Sequence, residues 1–153
     1  MLLRARRILP GMWLGLLVCI AAMVAPACFA VLPSADAGRV LARIFVQEAW
    51  LSLFFALTLW LLERAHTRRL QHAASRAPTR HTWLLAGTAA CTLLGYFAVQ
   101  RGMPAARLGQ GMFSFGQLHL VSTVFYALKT LLVLVLAWRV ADPDPSFSPR
   151  PSS

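Results

Sequence analysis

Four polar side chains near the carboxyl end of the chain recur at spacings of three and four residues, which places them on one face of an α-helix. They are His119, Ser122, Tyr126 and Lys129. If this helix crosses a membrane, an ionised lysine near its middle costs roughly 2.5–3.5 kcal/mol. Titratable groups on such a face are typical of a proton or ion path. The same groups also serve as hydrogen bonds that hold helices together, and the pattern leaves both interpretations open.

An acidic partner for Lys129 is present in an earlier apolar stretch, where Glu48 is followed one helical turn later by Ser52. With a rise of about 1.5 Å per residue, Glu48 and Lys129 come within roughly 8 Å of each other in depth. The long lysine stem can cover that gap. We therefore predict an ion pair and, around it, an intramembrane polar cluster. Its predicted members are Glu48, Ser52, His119, Ser122, Tyr126 and Lys129.

Soft metal ligands are a further chemical possibility, because Met12, Cys19 and Met23 lie in the first apolar stretch and His119 lies in the last. This set suits Cu(I) in principle, whereas bis-histidine haem ligation is poorly supported. A metal- or haem-handling protein is therefore a weaker functional alternative than a membrane component or a small transporter. We expect no resident cofactor or metal. The chain has no GxSxG, P-loop or HExxH motif, so we expect no enzymatic activity.

The composition indicates a membrane protein. The 153 residues are 58% hydrophobic and 13% charged, with a mean hydropathy of +0.62. Soluble domains carry about 25% charged residues, so this chain lacks the polar surface that water requires. The net charge of +10 does not indicate nucleic acid, because the arginines stand beside the ends of apolar stretches. Lipid headgroups are the simpler partner.

Four apolar stretches are long enough to cross a hydrocarbon core of about 30 Å as helices. Their predicted bounds are about 8–32, 42–62, 82–100 and 116–138. The sequence thus predicts an all-α integral membrane bundle of four transmembrane helices, forming one domain over residues 1–139. Residues 140–153, rich in proline and serine, are expected to form a disordered tail. A cleaved signal peptide is the rival interpretation of the first stretch.

The distribution of basic residues predicts the orientation. Ten arginines lie at the two termini and in the central connection, against four in the other two connections. By the positive-inside rule both termini are cytoplasmic. The basic loop 63–81 is then expected to contact anionic headgroups. Trp13 is predicted to lie near the cytoplasmic interface, as membrane tryptophans do.

Small residues form two ridges, Gly11 with Gly15 in the first stretch and Gly87 with Gly95 in the third. Small residues allow helices to approach closely, so each ridge is predicted to be a helix contact. The contact lies either within the bundle or between copies of it. A homo-oligomer, or a complex with another membrane protein, is therefore expected.

Three segments of the sequence resemble a known family. They are similar to the transmembrane protein 205-like domain family. The segments are Trp13-Leu14-Gly15, the run from Ala25 to Pro33, and Phe115-Gly116-Gln117-Leu118-His119. That family comprises small bacterial membrane proteins of unknown function. By this resemblance its marked positions are Trp13, Gly15, Pro26, Phe29, Pro33, Gly38 and His119. The resemblance implies a four-helix inner-membrane protein and brings no established reaction with it.

The leading functional expectation is therefore a non-catalytic, multi-pass inner-membrane component or assembly partner. The alternative is a small transporter or an ion- or proton-conducting protein, with a polar path formed by Glu48, His119, Tyr126 and Lys129.

Overall fold

The computed structural model describes residues 2–70, 80–99, 102–110 and 112–141, and within them the chain is helical without strands. The prediction of an all-helical chain is confirmed for this part. Six α-helices and two π-helical segments follow one another, and the bounds are α1 Leu2–Cys19, π1 Ile20–Val24, α2 Ala25–Val31, α3 Ser34–Leu70, α4 Arg80–Thr92, π2 Leu93–Ala98, α5 Met103–Arg107 and α6 Phe115–Ala141.

Three helical stretches in the described residues are long and apolar enough to cross a membrane: Arg4–Val31, Ser34–Ala65 and Phe115–Ala141. They correspond to the first, second and fourth predicted spans. The third predicted span, 82–100, falls on α4 and π2, which have 13 and 6 residues. These apolar helices suggest a membrane protein.

The helices extend beyond the predicted spans. α3 begins at Ser34, directly after Pro33, whose carbonyl accepts bonds from the backbone N–H groups of Asp36 and Ala37. Asp36 in the first turn also suits the positive end of the helix dipole. Gly38, one of the positions marked by the family resemblance, therefore lies inside α3.

Two connections differ from expectation. α3 continues to Leu70, so the first part of the predicted loop 63–81 is helical, and residues 71–79 lie outside the described residues. The connection that follows the third predicted span contains a short helix, α5. Of the predicted tail 140–153, the first two residues belong to α6 and 142–153 lie outside the described residues.

The first stretch changes helix type just before Pro26. A proline has no N–H to bond to the carbonyl four residues earlier, here that of Ala22, so the regular ladder is interrupted. The five-residue π1 segment accommodates this interruption, and α2 then begins with Pro26 in its first turn. π segments inside α-helices are frequent at functional sites.

The helices form a ring in which α1 and α4 each pack against both α3 and α6. α3 and α6 therefore face each other across the centre. We call the end of the bundle that carries residues 32–34 and Phe115 the Pro33 end, and the opposite end the Arg6 end. Toward the Arg6 end the centre is filled by an apolar cluster. Its buried members are Trp13, Leu17, Ala56, Leu59, Leu85, Val133 and Leu136.

We predicted from its position near a helix end that Trp13 lies at an interface. The structure instead buries its side chain inside the bundle. Its side chain is 0% exposed, and its ring stacks on Phe55 at a centroid distance of 5.8 Å. The reason is that Trp13 faces α3 and α6 rather than the outside of the bundle. Large apolar side chains such as Trp50, Phe54 and Trp138 are exposed on the outside instead, as a surrounding lipid phase would require.

Candidate functional site

The site is built around an ion pair at the centre of the bundle. Nζ of Lys129 on α6 lies 2.7 Å from Oε1 and 2.9 Å from Oε2 of Glu48 on α3. Both residues are 4% exposed. Because α3 and α6 stand on opposite sides of the ring, this pair bridges the bundle across its diagonal. A buried charge is tolerated when it is paired in this way.

The carboxylate of Glu48 is held from the side facing the Arg6 end. The hydroxyl of Ser52, one turn further along α3, donates to Oε1 of Glu48. Nε1 of Trp13 in turn donates to Oγ of Ser52 at 3.0 Å. Glu48 therefore accepts hydrogen bonds from both Ser52 and Lys129, and α1 joins the network through the indole.

Tyr126 lies one turn before Lys129 and connects α6 to α1. Its hydroxyl donates to the backbone carbonyl of Leu17 at 2.9 Å. Its ring lies 4.9 Å from Nζ of Lys129 and meets the ring of Phe45 edge to face, with centroids 5.6 Å apart. The ammonium of Lys129 thus has a carboxylate on one side and the face of an aromatic ring near it.

A cleft of about 320 Å³ lies on the side of this pair that faces the Pro33 end, and we call this direction 'above' the pair. It extends from Phe115 at the Pro33 end to Lys129, fourteen residues along α6 or about 21 Å of helix. His119 and Ser122 line it on the same face of α6, so the predicted polar face of this helix forms one wall. Its other walls come from all the remaining helical stretches and are mostly apolar.

The cleft ends at the ion pair. The next two positions on the same face of α6 are Val133 and Leu136, 0% and 2% exposed, and both belong to the apolar cluster. Leu17 of that cluster is also 0% exposed. Within the described residues, the polar face therefore stops at Lys129, and apolar packing continues from there toward the Arg6 end.

The residues marked by the family resemblance are divided between this cleft and its surroundings. Phe29 and Gly38 line the cleft beside His119. Pro26 and Pro33 shape the two helix starts that border it. Trp13 reaches Ser52 below the floor.

The two glycine ridges have different surroundings. A Cβ added at Gly95 would lie 2.6 Å from Cβ of Phe125, and one added at Gly87 would lie 3.3 Å from Leu132. The third-stretch ridge is therefore a close contact with α6 inside the bundle, and Gly95 also lines the cleft. Gly11 and Gly15 would meet nothing within 4 Å, so their ridge faces outward.

The soft metal ligands are not brought together. Met12 and Met23 are 59% and 68% exposed, and Cys19 is also exposed on the outside of the bundle, whereas His119 lines the cleft. Among the described residues no group of three histidine, cysteine or acidic side chains has the arrangement of a metal site.

A second ion pair, which the sequence analysis missed, lies at the Arg6 end. Nε of Arg6 is 2.8 Å from Oε2 of Glu63, although the N–H direction is not that of an aligned hydrogen bond. His81 lies beside this pair. Burial lowers the pKa of His81, as do the charges of Arg6 and Arg139, and the charge of Glu63 opposes them. The sequence contains one signal for this pair, because Arg6 and Glu63 have opposite charges and lie at the ends of the first two predicted spans that face the same side of the membrane.

The network below Glu48 was also missed. The four-residue spacing of Glu48 and Ser52 predicted a shared face, but nothing in the sequence pairs Ser52 with Trp13 or Tyr126 with the carbonyl of Leu17. Cys91, Gly95 and Phe125 line the cleft as well. A cysteine or phenylalanine in an apolar stretch carries no signal that separates a cleft wall from ordinary packing.

Comparison with known proteins places the chain in a family. The model of a domain of unknown function, DUF4149, matches residues 8–111, which are 104 of the 153 residues. The match includes Glu48 and Ser52 and ends before α6. No curated protein and no solved structure matches the chain. Since the family model covers two thirds of its length, the chain belongs to the DUF4149 family.

Proposed function

We propose that this chain is a non-catalytic, four-span protein of the bacterial inner membrane that binds a small molecule in the cleft above Glu48 and Lys129. The observation that carries the proposal is the position of a buried ion pair at the bottom of a cleft of about 320 Å³. Small-molecule sites are typically clefts of about 300–1,000 Å³, mostly apolar, with a few placed polar groups.

The four-span architecture draws on the length of α4 and π2. Their 19 residues cover about 28 Å at the rise of an α-helix, close to the ~30 Å of a hydrocarbon core. The stretch packs between α3 and α6 and completes the ring. The residues from Trp13 to Gly38 are the basis on which we further propose a likeness to the transmembrane protein 205-like domain family.

The proposed orientation has both termini in the cytoplasm and the cleft opening on the far side, because most arginines lie at the Arg6 end. Fusions test it. A fluorescent protein after Ser153 should fluoresce, and alkaline phosphatase inserted after Gln110 should be active. The reverse pattern would contradict the orientation.

Lipid contact at the Arg6 end is part of the proposal. Arg64 is exposed and lies 4.0 Å above the ring of Trp60, an arrangement suited to the headgroup layer. The basic segment 63–81 would then meet anionic headgroups. The outward-facing Gly11 and Gly15 ridge leaves a surface on α1 for a second copy or another membrane protein.

Binding is favoured over conduction by the way the cleft ends. A proton or ion path needs polar groups or water along its whole length, whereas beyond Ser52 and Trp13 the centre of the bundle is filled by buried apolar side chains such as Leu17, Val133 and Leu136. We propose no enzymatic role: the ion-paired groups at the bottom of the cleft, Glu48 and Lys129, are bonded to each other, and the hydroxyl of Tyr126 is bonded to a backbone carbonyl.

Native mass spectrometry tests the binding function. Protein extracted gently from its own membrane should carry a bound small molecule, and Ser122→Phe should remove it by filling the cleft. Val121→Phe is the matched control, because this neighbouring residue is 42% exposed on the outside of α6. If both variants keep the same bound mass, or wild type carries none, the proposed function is wrong.

A further inference from the structure

We infer that the ligand of this cleft is an uncharged amphipathic molecule with a flat aromatic body and one hydrogen-bond acceptor, which it directs at Lys129. The inference rests on the proposed binding function and adds the chemical class of the ligand. Three properties of the cleft carry it: the neutrality of its floor, the remaining donor of Lys129, and the shape and size of its walls.

The floor of the cleft is the ion pair of Glu48 and Lys129, and it carries no net charge. Glu48 and Lys129 compensate each other at 2.7 Å, and Ser52 completes the contacts of the carboxylate. An anionic ligand would have to displace Glu48 from Lys129, and a cationic ligand would have to displace Lys129 from Glu48. Either exchange leaves one buried charge without its partner, which is strongly unfavourable. An uncharged ligand leaves the pair intact.

At the inner end of the cleft, Lys129 offers a further donor to such a ligand. A lysine ammonium has three N–H donors, and two are directed at the two oxygens of Glu48. Because Lys129 itself lines the cleft, the third can meet an acceptor that enters from above. The hydroxyl proton of Tyr126 is already donated to Leu17. The site therefore selects a ligand that accepts a hydrogen bond at its inner end.

The walls favour an aromatic body. Phe45 and Tyr126 form an edge-to-face pair, and Phe115 and His119 stack at 6.0 Å at the Pro33 end, while Phe29 also lines the cleft. Aromatic side chains prefer such offset and edge contacts with further rings. A volume of about 320 Å³ corresponds to roughly ten water-sized units at ~30 Å³ each. A single substituted ring fits this size.

A series of probes of closely similar size tests the inference on the unmodified protein. The probes are acetophenone, which is uncharged with one carbonyl acceptor, ethylbenzene, which lacks the acceptor, benzoate and benzylamine. Equilibrium dialysis against full-length protein in lipid nanodiscs, with empty nanodiscs subtracted, measures each affinity. We expect acetophenone to bind about fivefold more tightly than ethylbenzene and at least tenfold more tightly than either ion.

The outcomes separate the ligand class from the function. If benzoate or benzylamine binds best, the inferred class is wrong while the cleft remains a binding site. If ethylbenzene binds as well as acetophenone, Lys129 offers no donor and the inference also fails. If no probe binds above empty nanodiscs, the inferred ligand class is wrong. The proposed binding function is wrong as well only if native mass spectrometry finds no small molecule bound to the wild-type protein. Ser122→Phe should abolish acetophenone binding, and Val121→Phe should not.

Discussion

Replacing Lys129 by methionine leaves the carboxylate of Glu48 buried with only the hydroxyl of Ser52 as a donor. Methionine keeps the length and apolar stem of lysine, so the change removes the charge with little change in volume. Removing one partner of a buried pair typically costs about 3–5 kcal/mol. The converse variant, Glu48→Gln, leaves the ammonium of Lys129 without its carboxylate.

The size of each effect follows from the cheapest way to remove the orphaned charge. In Lys129→Met, Glu48 can take up a proton, which at pH 7 costs about 3.7 kcal/mol for an ordinary glutamate. That cost falls by about 1.4 kcal/mol for each pH unit toward acid, to about 1 kcal/mol at pH 5. In Glu48→Gln, Lys129 must lose a proton, which costs about 4.6 kcal/mol at pH 7 and about 1.9 kcal/mol at pH 9.

The two single variants are therefore expected to have opposite pH dependences. Lys129→Met should recover stability as the pH falls, and Glu48→Gln should recover it as the pH rises. The double variant carries neither charge, so it should be more stable at pH 7 than either single variant, with little dependence on pH from this site. Reversible unfolding in mixed micelles of mild detergent and dodecyl sulfate, followed by tryptophan fluorescence, measures all four proteins.

Three results would refute this reasoning. Single variants within about 1 kcal/mol of wild type at pH 7 would mean that water already solvates the pair. Equal losses at pH 5, 7 and 9 would mean that the loss comes from packing rather than from an unpaired charge. Strict additivity in the double variant would likewise show that Glu48 and Lys129 do not interact.

Three further predictions concern the surroundings of the cleft, with the same unfolding assay. Gly95→Ala should destabilise the protein by about 1–3 kcal/mol because its Cβ would lie 2.6 Å from a neighbouring Cβ, whereas Gly11→Ala, with nothing within 4 Å, should be neutral or stabilising. Tyr126→Phe should cost about 0.5–1.5 kcal/mol through the lost bond to a backbone carbonyl, and no loss would show that this bond contributes nothing. His81→Gln should reduce the stability lost below pH 6.5, because burial lowers the pKa of His81 and its charged form is disfavoured in the folded state. An unchanged acid limb in that variant would contradict the last prediction.

The helices could be predicted because their signals are local. An apolar stretch without charges is a property of consecutive residues, and it predicts a helix whatever packs beside it. The same holds for the polar face of α6, since spacings of three and four place His119, Ser122 and Lys129 together on any regular helix. The opposite charge at Glu48 needed only one more step, because a buried lysine requires a partner.

Helix ends and irregular turns were harder, since the energies that decide them are small. α3 begins at Ser34 and not near residue 42, because Pro33 and Asp36 form a favourable helix start that outweighs the basic residues that follow. The π1 segment arises where Pro26 interrupts the ladder of backbone hydrogen bonds, a change of helix type that the predicted span 8–32 does not include. π2 has no such proline, and its wide turn accompanies the close approach of Gly95 to α6.

Which faces meet was decided only by the tertiary structure. Gly11 and Gly95 belong to similar ridges, yet one faces outward and the other touches α6, because contact depends on the rotation of each helix about its axis. Trp13 has the position of an interfacial residue and is buried against Ser52 for the same reason. The polar face of α6 could be predicted from its period. That it lines a cleft ending at an ion pair, and not a path through the bundle, depends on apolar side chains from several helices meeting below Lys129, an arrangement that no single stretch of sequence contains.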